Sequence, residues 1–136
     1  MTRKFNVVAH SVKKIDSMAL ALGKPKFVSD FKPDDALVVK FLWSPHAHAI
    51  ITSIDVSAAE KIPGVACVLY HGNVPRIPHT TAGQGFPEPS PYDTFMFDRK
   101  VRFVGDRVAA VAAVSEEVAD AALEAIKVEY KVLEPV

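Results

Sequence analysis

Residues 36–43 read ALVVKFLW, a nearly unbroken apolar run between Pro33-Asp34-Asp35 and Ser44-Pro45. Its short length and β-branched content predict a strand buried on both faces, or nearly so. Residues 48–54, HAIITSI, give a second strand signal. The tight Ser44-Pro45-His46 connection makes the two expected antiparallel neighbours. Residues 55–62 predict a short helix, opened by Asp55 as N-cap or by Ser57 with Glu60 as a capping box. Pro63-Gly64 ends it, because proline breaks the hydrogen-bond ladder and glycine tolerates the exit conformation. A third strand is expected over residues 65–70.

Regular patterning returns in the last third. Val101-Arg102-Phe103-Val104 predicts a short strand, Gly105-Asp106 a turn, and residues 108–114, VAAVAAV, a small-residue strand. Ser115 is placed to cap a helix whose first turn carries Glu116 and Glu117, where the helix dipole favours anions. In that helix Val118, Ala121, Ala122 and Ala125 are expected on one face, and Glu117, Asp120 and Glu124 on another. Residues 126–132, IKVEYKV, alternate strictly and predict a half-buried strand. Strand, helix and strand in that order form a β-α-β unit, for which a parallel or mixed sheet is expected. The elements together read as an α+β fold: a mixed β-sheet with two main helices in one domain, 1–136.

Two stretches resist this reading. Residues 1–35 form an irregular lead-in punctuated by Gly23, Pro25 and Pro33, with short strand starts at Val7-Val8 and Phe27-Val28. Residues 71–100 carry Pro75, Pro78, Pro87, Pro89 and Pro91 with Gly72, Gly83 and Gly85, which forbid regular structure over most of the span. Connections inside compact domains usually run about 4–6 residues. Phe86, Tyr92, Phe95, Met96 and Phe97 make this one too apolar for a solvated linker, so it is expected to dock on another surface.

Charge and composition narrow the function classes. Sixteen basic residues offset sixteen acidic ones. A nucleic-acid binder needs a basic surplus to displace phosphate counterions, so nucleic acid is not an expected partner. No secretory signal and no span of about 20 apolar residues is present, so neither export nor a membrane is expected. Cys67 is the sole cysteine and excludes an intrachain disulfide or a cysteine-rich cluster. Its apolar neighbours predict a small buried hydrophobe, and that usage agrees with a cytoplasmic setting.

No reacting centre is expected: no catalytic, cofactor-binding or metal residue is assigned. Gly83-Gln84-Gly85 lacks the third glycine and the helix start that would hold a pyrophosphate. Among His10, His46, His48, His71 and His79 no HExxH spacing occurs, and His46 and His48 would face opposite sides of a strand. Cys67 and His71, four residues apart on an extended strand, would lie about 13 Å from each other, too far to act as nucleophile and base. No serine sits in a GxSxG elbow. Asp30, Asp34 and Asp35 read as turn residues beside prolines rather than as a metal cluster. Arg107 is a strand-edge charge with no special role. Neither the Asp-Lys nor the Met-Lys pair of a lipoyl or biotin carrier occurs.

The run from Val101 through Gly105-Asp106-Arg107 to Ala113 resembles the VRFVGdxVAaVvA signature of the aldehyde oxidase/xanthine dehydrogenase a/b hammerhead domain. The alanine-rich helix at 119–125 and the strand Val128-Glu129-Tyr130 follow in the order of that family. Upstream, Gly23-Lys24-Pro25-Lys26-Phe27-Val28-Ser29-Asp30 resembles its G-x-A-x-Y-x-x-D entry, with Pro25 and Phe27 as departures. Ser44-Pro45-His46-Ala47-His48-Ala49, Asp55 with Ala59, and Ile62-Pro63-Gly64-Val65 match further elements. The resemblance runs from about residue 10 to the end and implies an α/β hammerhead in the large subunit of a molybdenum hydroxylase. The loop around Gly83-Gln84-Gly85 and Pro87-Glu88-Pro89 is most similar to bacterial xanthine dehydrogenase relatives.

Such a parent would hydroxylate a purine or aldehyde carbon, taking oxygen from water. Its molybdopterin, [2Fe–2S] clusters and, in some cases, FAD would sit in downstream domains or in separate subunits, which become the expected partners. None of those cofactors is expected in this chain, and the family's molybdenum-side glutamine is not carried onto Gln84. The stop at Leu133-Glu134-Pro135-Val136, directly after a strong strand, reads as a piece trimmed from a longer polypeptide. Two rivals remain: a free-standing interaction module sharing the fold, and a small enzyme using Cys67 or the histidines.

Overall fold

A computed structural model describes residues 7–31, 33–81 and 91–135. The chain forms two compact units, Met1–Asp35 and Ala36–Val136. In the first, the lead-in is not wholly irregular. It holds a five-residue helix α1 (Ser17–Ala21) and a 3-10 turn, Val28–Asp30. The expected strand starts are absent: Val7 and Val8 lie exposed outside any strand, and Phe27 stands at the N-cap of the 3-10 turn. There the Asp30 carboxylate accepts a hydrogen bond from the Phe27 amide at 2.8 Å, a local bond that competes with strand pairing.

The second unit contains strands β1 (Val38–Trp43), β2 (Ala49–Asp55), β3 (Val65–Tyr70), β4 (Lys100–Val101), β5 (Arg107–Ala113) and β6 (Lys127–Val132), with helix α2 (Glu116–Ala125). They build two three-stranded sheets, ordered β1-β5-β3 and β4-β2-β6. The α+β class stands, while the pairing differs in detail from the expected β-α-β arrangement. Every strand pair among the described residues is antiparallel. Both edges of β5 are taken by β1 and β3, so β6 cannot join it in parallel and pairs with β2 instead.

The expected β1–β2 hairpin is also not formed, because the chain changes sheets at Ser44-Pro45-His46. Ser44 is the one polar residue buried among those described, at 2% exposure. Its amide donates to Asp106 O and its carbonyl accepts from the Gly105 amide, both at 2.8 Å. Its hydroxyl accepts from the His46 amide at 3.1 Å. A buried polar residue with its groups satisfied costs little and pins the corner.

The expected helix at 55–62 shrinks to one 3-10 turn, Ala59–Lys61. Asp55 ends β2, and its carboxylate accepts from the Ser57 amide at 2.9 Å, so the cap forms with almost no helix behind it. Helix α2 begins as its sequence demands: Ser115 Oγ accepts from the Val118 amide at 3.3 Å. Its buried positions are Ala119 and Ala122 rather than Ala121, which is exposed. That rotation brings the alanines over Ala109, Val111 and Ala113 of β5 to form the main core with Val56, Ala59, Val68 and Ile126. A second core of Ala49, Ile51, Val101 and Val108 joins the two sheets.

Gly64 shows why the turn before β3 takes glycine. Its φ is +94°, and an added Cβ would lie 2.8 Å from Val114 Cγ2. Gly64→Ala is therefore expected to cost more than about 1 kcal/mol, seen as a lower urea midpoint at unchanged slope.

Candidate functional site

The described polar groups gather most densely where the 71–100 segment rejoins the sheets. Asp98, with its side chain 14% exposed, is the hub. It accepts from Arg102 Nη2 at 3.0 Å and from the Arg99 amide at 2.8 Å, and it meets Arg76 at 3.5 Å. The Arg76 guanidinium lies 3.6 Å from the centre of the Phe95 ring. Asp106 accepts from the amides of Arg102 and Arg107, each at 2.9 Å. Arg107 Nη2 donates to Phe95 O at 3.4 Å. Phe95, Asp98, Arg102, Asp106 and Arg107 line a cavity of about 180 Å³ with Asp93, Thr94 and Phe103.

Burial pushes the Asp98 carboxyl up, but the hydrogen bonds from Arg102 and Arg76 and from the Arg99 amide outweigh it and hold it below the ordinary carboxylate value. The cluster ties the loop to the sheet, and sequence reading missed it because Arg76 and Asp98 are far apart in the chain.

Asp98→Ala is expected to cost about 1.5–3 kcal/mol, the usual range for hydrogen bonds to a charged group. A lowered carboxyl contributes stability that is present above its unfolded value, about pH 4, and is lost as pH falls through the folded value. The gap in urea stability between wild type and variant should therefore close at acid pH.

The candidate residues for chemistry are scattered. His46 packs edge-on against Tyr130, with ring centroids 4.9 Å apart. His48 Nδ1 lies 2.6 Å from Glu134 O. His79 exchanges backbone hydrogen bonds with Thr94. His71 has a buried Nδ1 without a hydrogen-bond partner among the described residues, and burial followed by the Arg99 charge lowers its pKa. That favours a neutral imidazole. No group of three His, Cys, Asp or Glu side chains among the described residues is arranged to hold a metal ion. Gly83-Gln84-Gly85, with Phe86, Pro87 and Pro89, lies outside them.

Cys67 corrects an expectation: it is exposed, not buried. Alternation along β3 turns Val68 into the main core and Cys67 away from it, and its apolar neighbours in sequence could not reveal which face was covered. The docking segment is only partly described. Phe97 in it is 5% exposed and belongs to the core, whereas Ile77, Tyr92 and Met96 stand in solvent. No helix among the described residues is long and apolar enough to cross a membrane.

Residues 22–134 match the family model for the aldehyde oxidase and xanthine dehydrogenase a/b hammerhead domain. The chain belongs to that family. This hammerhead domain is 53% identical, over 96% of its length, to the "Probable hypoxanthine oxidase XdhD" of Escherichia coli K12, of which it spans 14%. It is 33% identical over 96% of its length to the nicotine 6-hydroxylase large subunit of Paenarthrobacter nicotinovorans, spanning 16% of that protein. Its fold superposes on quinoline 2-oxidoreductase from Pseudomonas putida 86 with a TM-score of 0.77 at 32% identity, covering 91% of this chain and 16% of that one. The aldehyde oxidoreductase of Desulfovibrio desulfuricans gives a TM-score of 0.78 at 32% identity, over 91% of this chain and 14% of that one. The hammerhead domain thus spans about one-seventh of these oxidoreductases.

Proposed function

We propose that this hammerhead domain is a structural, non-catalytic part of a molybdenum hydroxylase of the xanthine dehydrogenase type. The observation that carries the reading is the 53% identity to XdhD, spread over 96% of this chain but only 14% of XdhD. In this reading the parent replaces a C–H of a purine or aldehyde with C–OH. Water supplies the oxygen, and two electrons and two protons are released to the parent's redox groups.

In this reading none of those groups is assigned to the residues described. A [2Fe–2S] cluster needs four protein ligands, typically thiolates, and this chain has one cysteine. No cluster of His, Cys, Asp or Glu offers a metal set among the described residues. Molybdopterin, the iron–sulfur clusters and any FAD are assigned to the parent's other domains or subunits, which become the partners of this domain in the cytoplasm. The work left to these residues is to pack against those domains.

The test is to read the gene across Val136, purify its full-length product and measure molybdenum and purine or aldehyde oxidation beside the 136-residue chain. Molybdenum and turnover are expected in the full-length product and neither in the chain. A reading frame that stops at Val136, or turnover by the chain alone, would overturn the proposal.

A further inference from the structure

The sheet β1-β5-β3 has two apolar faces, and α2 covers one of them. The registers define the other. Val39 and Cys67 stand level with Ala112, and Phe41 and Leu69 stand level with Ala110. Trp43 continues the β1 side, its ring stacked on Phe41 with centroids 5.1 Å apart. The result is a trough. Ala110 and Ala112 form its floor, Val39, Phe41 and Trp43 one wall, and Cys67 and Leu69 the other.

Its walls meet solvent: Val39 is 54% exposed, Trp43 53% and Leu69 39%. Antiparallel sheets with one wet face normally alternate apolar and polar residues, yet these strands carry only Lys40 and Arg107 as charges. Lys40 points to the opposite face, where it binds Asp120 of α2 at 2.7 Å. Arg107 lies at one end of β5 and donates to Phe95 O. The trough itself carries no charge, as a surface meant for permanent burial would not.

Walls on strands two places apart stand about 10 Å from each other, close to the diameter of an α-helix with its side chains. An alanine floor admits such a helix closely, as the alanines of β5 do for α2 on the other side. We propose that the trough receives the apolar stripe of a helix from the part of the parent polypeptide outside these 136 residues. The inference rests on the functional reading above. It takes its occupant from the six-sevenths of an XdhD-like polypeptide that this chain does not span.

Cys67 stands in the wall and reports on cover. The test compares N-ethylmaleimide labelling of Cys67, followed by peptide mass spectrometry, in the native 136-residue chain and in the full-length gene product. Labelling is expected to be at least tenfold slower in the full-length product. Leu69→Lys in that product should restore fast labelling and lower its molybdenum content several-fold. Ala121→Lys, on the exposed side of α2, should do neither, and circular dichroism of the Leu69→Lys chain should match wild type.

A full-length product that holds molybdenum but labels as fast as the chain would overturn the trough assignment and leave the functional reading standing. A full-length product without molybdenum would sink both. Slow labelling in the chain alone, with or without a dimer in sedimentation, would show a different cover and also overturn it.

Discussion

Ala109→Asp is expected to abolish the cooperative unfolding transition of this domain. Ala109 is fully buried on the β5 face beneath α2, level with Leu42 of β1 and Tyr70 of β3. A carboxylate there would lose its water and meet apolar neighbours, and the nearby cation Lys40 is already held by Asp120 and Glu116. Such substitutions cost about 4–5 kcal/mol or more, against a total stability of about 5–15 kcal/mol for a typical domain. Thermal melting followed by far-ultraviolet circular dichroism would read the outcome. A sharp transition near the wild-type midpoint would mean that Ala109 does not lie under α2.

The second large effect falls on the core between the sheets. Ile51 is fully buried with Ala49, Val101 and Val108, and Val108 brings the β1-β5-β3 sheet into that cluster. Ile51→Ala removes three carbons from a closed site and is expected to cost about 2–5 kcal/mol, with Ile51→Val costing about 0.5–1.5 kcal/mol. Urea unfolding should give that order at constant slope. If Ile51→Ala cost less than Ile51→Val, the sheets would not be held together through this residue.

Both predictions concern residues whose burial the apolar pattern announced but whose neighbours it did not. The patterns in 65–70, 108–114 and 126–132 place β3, β5 and β6 within a residue or so, because alternation and turn residues act locally. Ser115 marks the start of α2 for the same reason: its hydroxyl meets an amide three residues away. The 55–62 helix fails because Asp55 belongs to β2, where pairing with Lys127 of β6 competes successfully with a weak helical tendency. The face of α2 was read one position off, since Ala119 and Ala121 are alike as residues and only the sheet below selects between them.

Motifs for nucleotide, metal and nucleophilic chemistry depend on local spacing, so a sequence can be searched for them directly. The Asp98 cluster was not legible in that way, since it joins Arg76 to Asp98 and Arg102 across a turn of the fold. The same holds for the trough. The continuous apolar run at 36–43 predicted a strand buried on both faces, and only three-dimensional packing shows that α2 covers one face of the sheet while Val39 and Trp43 meet solvent on the other.

By itself, then, the amino-acid order determined the strands β1, β2, β3, β5 and β6, the helix α2 with its Ser115 cap, and the family to which the pattern belongs. These follow from hydrogen bonds and periodicities that span a few residues. Tertiary structure decided which strand lies beside which, that Ser44 turns the chain from one sheet into the other, and that Cys67 faces outward. Those outcomes depend on contacts such as Val39 with Ala112, between positions far apart along the chain, whose choice is settled by competition for the edges of β5 and not by any local preference.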